Sequence, residues 1–156
     1  MIVNRQRRVP VAVKPLKDFL GCVQQALDLS DRDVTVCLVS DVAIARMNWD
    51  FRGKRGPTDV LSFLGRENER KRGGRKGTSH GRRTEQGARE DSYLGDIAVS
   101  PETAERNARG SRRALPQELR ILILHGMLHL AGYDHERDHG EMARLESCLR
   151  RRFGLS

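Results

Sequence analysis

The sequence predicts an α+β domain, a small mixed β-sheet packed with about five helices, and three observations carry that prediction. Short runs rich in β-branched residues stand between longer runs of helical period. One helical run, Leu119–Leu130, is hydrophobic nearly all round and therefore belongs at the centre of the molecule. The 156 residues suffice for a single domain with its own hydrophobic core.

In chain order, Met1–Asn4 is a short apolar start that fits an edge strand. From Pro15, the residues Leu16, Phe19, Leu20, Val23, Ala26 and Leu27 recur with helical spacing and turn one face to a core. Asp33–Ser40 (DVTVCLVS) reads as a buried strand. Ser40 or Asp41 then caps a second helix carrying Val42, Ile44, Ala45 and Met47, with Trp49 near its end. Gly53 to Pro57 breaks regularity, and Val60–Phe63 and Gly95–Val99 are two further short strands. Ser100, Pro101 and Glu102 supply an N-cap, a first-turn proline and a first-turn acid for a third helix. Pro116 opens the fourth. The last runs from about His139 to Phe153, with Met142, Leu145 and Leu149 on one face and three arginines, 150–152, at the end where cations are favoured.

The net charge of +8 and a pI near 10.1 call for an anionic partner, nucleic acid being the commonest. Aromatic residues make up only 4%, which argues against a base-stacking sheet and for contacts mainly to phosphates. Cys22, Cys37 and Cys148 are widely spaced and unpaired by any CxxC motif, which fits reduced thiols in the cytoplasm, with Cys22 and Cys37 as core fillers. No apolar run reaches transmembrane length, and the N-terminus lacks the apolar stretch of a signal peptide, so no membrane partner is expected.

Residues 65–92 differ in kind. They hold nine Lys or Arg, five acids, six glycines and one aliphatic residue, Ala88. Such a stretch cannot bury enough apolar surface to offset its ordering entropy, so it is expected to be a disordered insertion between two strands. Either it is a basic arm on RNA phosphates, through Arg70, Lys71, Arg72, Arg75 and Lys76, or it is a passive solvated insert.

The chemistry concentrates in His125-Gly-Met-Leu-His129-Leu-Ala-Gly132-Tyr-Asp-His135. Histidines four apart share a helix face and can close on one ion. Gly132 stands where a left-handed turn can end the helix and swing His135 back toward the first two. Three nitrogens leave a fourth position open, as in a catalytic zinc site. The spacing HxxxHxxGxxH is that of many zinc proteases, but these carry a glutamate general base directly after the first histidine, and here that position is Gly126. A metal is expected; proteolysis is not. His139 reads as a solvated side chain.

The same histidine stretch resembles the signature of YbeY-type endoribonucleases, the bacterial rRNA maturation factors. Asn48-Trp-Asp-Phe-Arg52 followed by Pro57-Thr-Asp-Val-Leu-Ser-Phe63 is similar to the family's arginine-bearing segment and PTDVLSF strand, and Leu94-Gly-Asp-Ile97 to its LGDI strand. The likeness spans almost the whole chain apart from residues 65–92. It implies one metallo-endoribonuclease domain over residues 1–156, specific for single strands, acting in 16S rRNA 3′-end maturation and ribosome quality control. It further implies one Zn²⁺ on His125, His129 and His135, with Arg52 and His125 as catalytic residues. RNA and the small ribosomal subunit are the implied partners, with ribosomal proteins or a GTPase as candidates and no DNA.

Around that site, Arg52 can grip phosphate bidentately. On the residues alone the favoured reading is an ordinary surface arginine. Thr58 and Asp59 either line the cleft or shape the strand entry, the structural role being favoured. Asp96 either orients a histidine through its second nitrogen or caps a turn, and Asp134 is the favoured acceptor beside the third ligand. The attacking group is either metal-activated water or the ribose 2′-hydroxyl. Two other functions fit less of this pattern: an assembly factor with a structural metal, and a metallohydrolase of another substrate.

Overall fold

The computed structural model of the chain describes residues 1–65 and 92–155. Arg70, Lys71, Arg72, Arg75, Lys76 and the expected disorder of the insertion lie outside the described residues. Among the described residues, four strands, β1 (Ile2–Asn4), β2 (Asp33–Leu38), β3 (Val60–Leu64) and β4 (Tyr93–Val99), form one mixed sheet in the order β1-β2-β4-β3. β1, β2 and β4 run parallel, and β3 is antiparallel to β4 at the opposite edge. Among the described residues, five helices accompany them: α1 (Val13–Ala26), α2 (Asp41–Arg52), α3 (Pro101–Gly110), α4 (Leu115–Leu130) and α5 (Glu141–Arg152).

Strand alternation divides the helices between the two faces of the sheet. Val34, Val36 and Leu38 of β2 and Ile97 and Val99 of β4 point to the side covered by α1 and α4, where the main core lies. Cys37 and Ala98 point to the other side and pack with Ile44 and Met47 of α2 and Leu61 and Phe63 of β3. An edge-to-face contact of Phe51 with Phe63, centroids 4.8 Å apart, also pins α2 to β3. α4 is wrapped by α1, α3, α5 and strands β3 and β4, and ten of its sixteen residues are buried. An all-round apolar helix requires that position.

The helix ends follow local chemistry. Ser40 caps α2 through the Ala43 amide (3.2 Å), and Ser100 caps α3 through the Thr103 amide (3.3 Å). α1 begins at Val13, two residues before Pro15, because a first-turn proline forfeits no helical hydrogen bond. Cys22 is a correction: it is exposed on α1, beside rather than on the stripe of Phe19, Leu20 and Val23. Cys37 is half-buried.

Candidate metal centre

α4 delivers two of the histidines, and the turn that ends it delivers the third. Gly132 adopts φ +99°, its amide bonds the His129 carbonyl (3.1 Å), and the Tyr133 amide bonds that of Leu128 (3.1 Å). This paired closure is a Schellman end, which reverses the chain out of the helix. Asp134 then folds the next turn, accepting the Glu136 amide at 3.0 Å and facing Arg137 at 3.4 Å. As a result one ring nitrogen from each of His125, His129 and His135 lies within 4.8 Å of the others. His125 and His129 are half-buried and His135 is exposed, so the cluster opens to solvent on one side. His139 is exposed and takes no part in it.

The hydrogen bonding around His125 fixes which nitrogen faces the cluster. Its Nδ1 lies 3.0 Å from Glu146 Oε2 of α5, and its Nε2 lies 3.1 Å from His129 Nε2. A carboxylate at Nδ1 holds the proton there and leaves the Nε2 lone pair directed into the cluster. Two nitrogens on a tetrahedral zinc, bound at about 2.0–2.1 Å, sit about 3.3–3.4 Å apart, close to the separation found. Burial, then the neighbouring His125 and His135, push the His129 pKa down, which favours the neutral, ligating form. The hydrogen bond from His125 holds the Glu146 carboxyl below its usual range despite burial. The donor set and its electrostatics fit a divalent metal.

The acid that reaches a histidine is thus Glu146, which sequence reasoning missed. Its one signal was an acid a turn from Met142 and Leu149, on the inward side of the last helix. Asp134, the expected acceptor, spends its oxygens on its own turn and acts on His129 only through its charge. Of the two readings open for Asp96, the geometry does not support the one in which it orients a histidine. Ile97 faces α4, so its neighbour Asp96 faces the opposite side of the sheet, where it accepts a hydrogen bond from Tyr93. Burial and that bond push the Tyr93 pKa up to about 12.

The histidines line a cleft of about 850 Å³ whose far walls are β3 and the end of α2. Arg52, the last residue of α2, is exposed on that wall, and among the described residues it makes no hydrogen bond or ion pair. Thr58 and Asp59 also line the cleft, but Asp59 is tied into the fold, accepting the Val60 amide (2.8 Å) and Asn107 Nδ2 (3.1 Å). Gly126, where zinc proteases carry their glutamate, faces the sheet: a Cβ there would stand 2.8 Å from Cγ2 of the fully buried Ile97. Ser62 Oγ reaches the Gly126 carbonyl at 3.2 Å in the same close contact.

Residues 2–154 match the family model described as Endoribonuclease YbeY. Among similar proteins, the Endoribonuclease YbeY of Geobacter sulfurreducens is 34% identical, over 99% of this chain and 93% of its own length. That of Koribacter versatilis is 37% identical, over 99% and 86%. A solution structure of a Thermotoga maritima protein superposes with a TM-score of 0.59 at 30% identity, covering 99% of this chain and 90% of that one.

Proposed function

Since the chain belongs to the YbeY endoribonuclease family, we propose that it hydrolyses single-stranded RNA at the three-histidine cleft, with one zinc ion held by His125, His129 and His135. The observation that carries this reading is the convergence of three ring nitrogens at the mouth of a cleft whose opposite wall presents an arginine that is unpaired among the described residues. A bound zinc supplies Lewis acidity toward the phosphodiester and lowers the pKa of water at its open position. The chain's own residues supply the rest. Glu146 keeps the His125 proton on Nδ1, so the ring orientation is set before any substrate arrives. Arg52 can grip the scissile phosphate with two parallel N–H donors and offset the charge that builds on its oxygens. The position directly after the first histidine is Gly126, so proton removal from the nucleophile cannot follow the protease scheme.

In this reading residues 1–156 are one catalytic domain with 65–92 as an insertion. Its substrate is rRNA, with 16S 3′-end maturation on the small ribosomal subunit as its task and the cytoplasm as its location. No helix among the described residues is long and apolar enough to cross a membrane. The test uses single preparations of the wild type, His129→Ala and Arg52→Glu, assayed for zinc by mass and for cutting of single-stranded rRNA fragments, with chelator controls. The wild type should hold about one zinc per chain and cut. His129→Ala should lose both, and Arg52→Glu should keep the metal and lose the cutting. Zinc without metal-dependent cutting would leave an assembly factor with a metal-stabilised fold.

A further inference from the structure

Among the described residues, the lining of the cleft is more acidic than basic. Among those residues are four carboxylates, on Asp59, Asp134, Glu136 and Asp138, against two guanidiniums, and Arg137 already faces Asp134. The basic side is the end of α2, where Arg52, Lys54 and Arg55 follow one another across the helix terminus. There the chain curls back. Gly53 takes φ +63°, the Lys54 amide bonds the Asn48 carbonyl (3.3 Å), and buried Asn48 holds the Gly56 carbonyl through Nδ2 (3.0 Å). This return sets Arg55 with its guanidinium carbon 5.8 Å from the centroid of the Trp49 ring.

Trp49 is the single tryptophan of the chain, and it remains 54% exposed with Arg55 over it. An indole left so open on a helix otherwise anchored by Ile44, Met47 and Phe51 contributes little to the core. It lies three residues before Arg52, on the neighbouring position of the same helical face, where side chains start about 5–6 Å apart. An aromatic face flanked by guanidiniums is the common device for holding a base of a single strand while its phosphates are neutralised.

We propose that Trp49 and Arg55 form a base-stacking subsite for the RNA strand next to the nucleotide whose phosphate Arg52 grips. This rests on the RNA-cutting reading and adds to it a determinant of strand binding outside the metal cleft. The subsite suits any base, because stacking needs only a π face, and it excludes duplex, whose bases are already stacked.

A single tryptophan makes the test direct. Tryptophan emission is followed while a short single-stranded RNA is titrated into chelator-treated protein, and again with an abasic oligomer of the same length and charge. RNA should quench the emission and the abasic oligomer should not. In steady-state cutting, Trp49→Ala should raise KM about tenfold, the scale of one lost stacked base, with kcat nearly unchanged. Trp49→Phe should recover most of the loss, and circular dichroism should show both variants folded. RNA that binds and is cut without changing the emission overturns the subsite and leaves the nuclease standing. RNA that neither binds nor is cut removes both.

Discussion

Glu146 is the residue on which the geometry of His125 depends. Its side chain is largely buried, with 17% exposed, and it meets Nδ1 at 3.0 Å, so its removal frees the ring to rotate and to change tautomer. Glu146→Ala should weaken zinc binding about 10- to 100-fold, measured by competition with a chromophoric chelator, while Glu146→Gln, which still accepts from Nδ1–H, should lose less. Equal zinc affinity in all three proteins would sink this role. The three histidines were legible in the sequence because helix periodicity and a glycine turn are local rules, and all three fall within eleven residues. Glu146 was not legible as a partner, because it stands 21 residues from His125 on a separate helix. Of the two readings open for Asp96, the one in which it orients a histidine does not hold, for a related reason. Its face of the sheet is decided by its neighbour Ile97, whose contact with α4 exists only once the sheet is built.

Among the elements, α2 and α3 are joined through their N-termini. Asp41, the first residue of α2, accepts from Ser100 Oγ (2.6 Å) at the cap of α3 and from Thr103 Oγ1 (2.7 Å) and Arg106 Nη2 (2.8 Å) within that helix. Burial alone would raise the Asp41 pKa; the hydrogen bonds from Ser100, Thr103 and Arg106 and the charge of Arg106 outweigh it and bring the pKa below its usual value. A carboxyl depressed in the folded state adds stability above its unfolded pKa, about 3.9, and loses that contribution as the pH falls through the folded value. Asp41→Asn should therefore be less stable than wild type in denaturant melts near neutrality, with the difference shrinking as the pH is lowered from about 4. A gap of constant size across that range would contradict the linkage. The caps Ser40 and Ser100 could be read from the sequence, since each bonds an amide three residues on. Their joining could not, because it requires β2 and β4 to be sheet neighbours although β3 intervenes in the chain.

For the whole molecule, half of the +8 net charge resides in residues 65–92. Deleting 66–91 should flatten the dependence of log K on log salt for RNA binding, because fewer counterions are then released from phosphates. An unchanged slope would mark the insertion as passive. The fold class was open to reading because the core helix and the strands are each marked by composition. The close seating of that helix on the sheet was not, and it has a bearing on what the scaffold can become. Position 126 meets the sheet at a distance that admits hydrogen and little else. A carboxylate cannot be introduced beside the first histidine by one substitution; α4 would first have to lift from Ile97, opening the centre of the core. The route from this scaffold to a peptidase is therefore obstructed by carbon packing on the face away from the histidine cluster, and selection for amide hydrolysis would have to relieve the contact with Ile97 before it could recruit a base there.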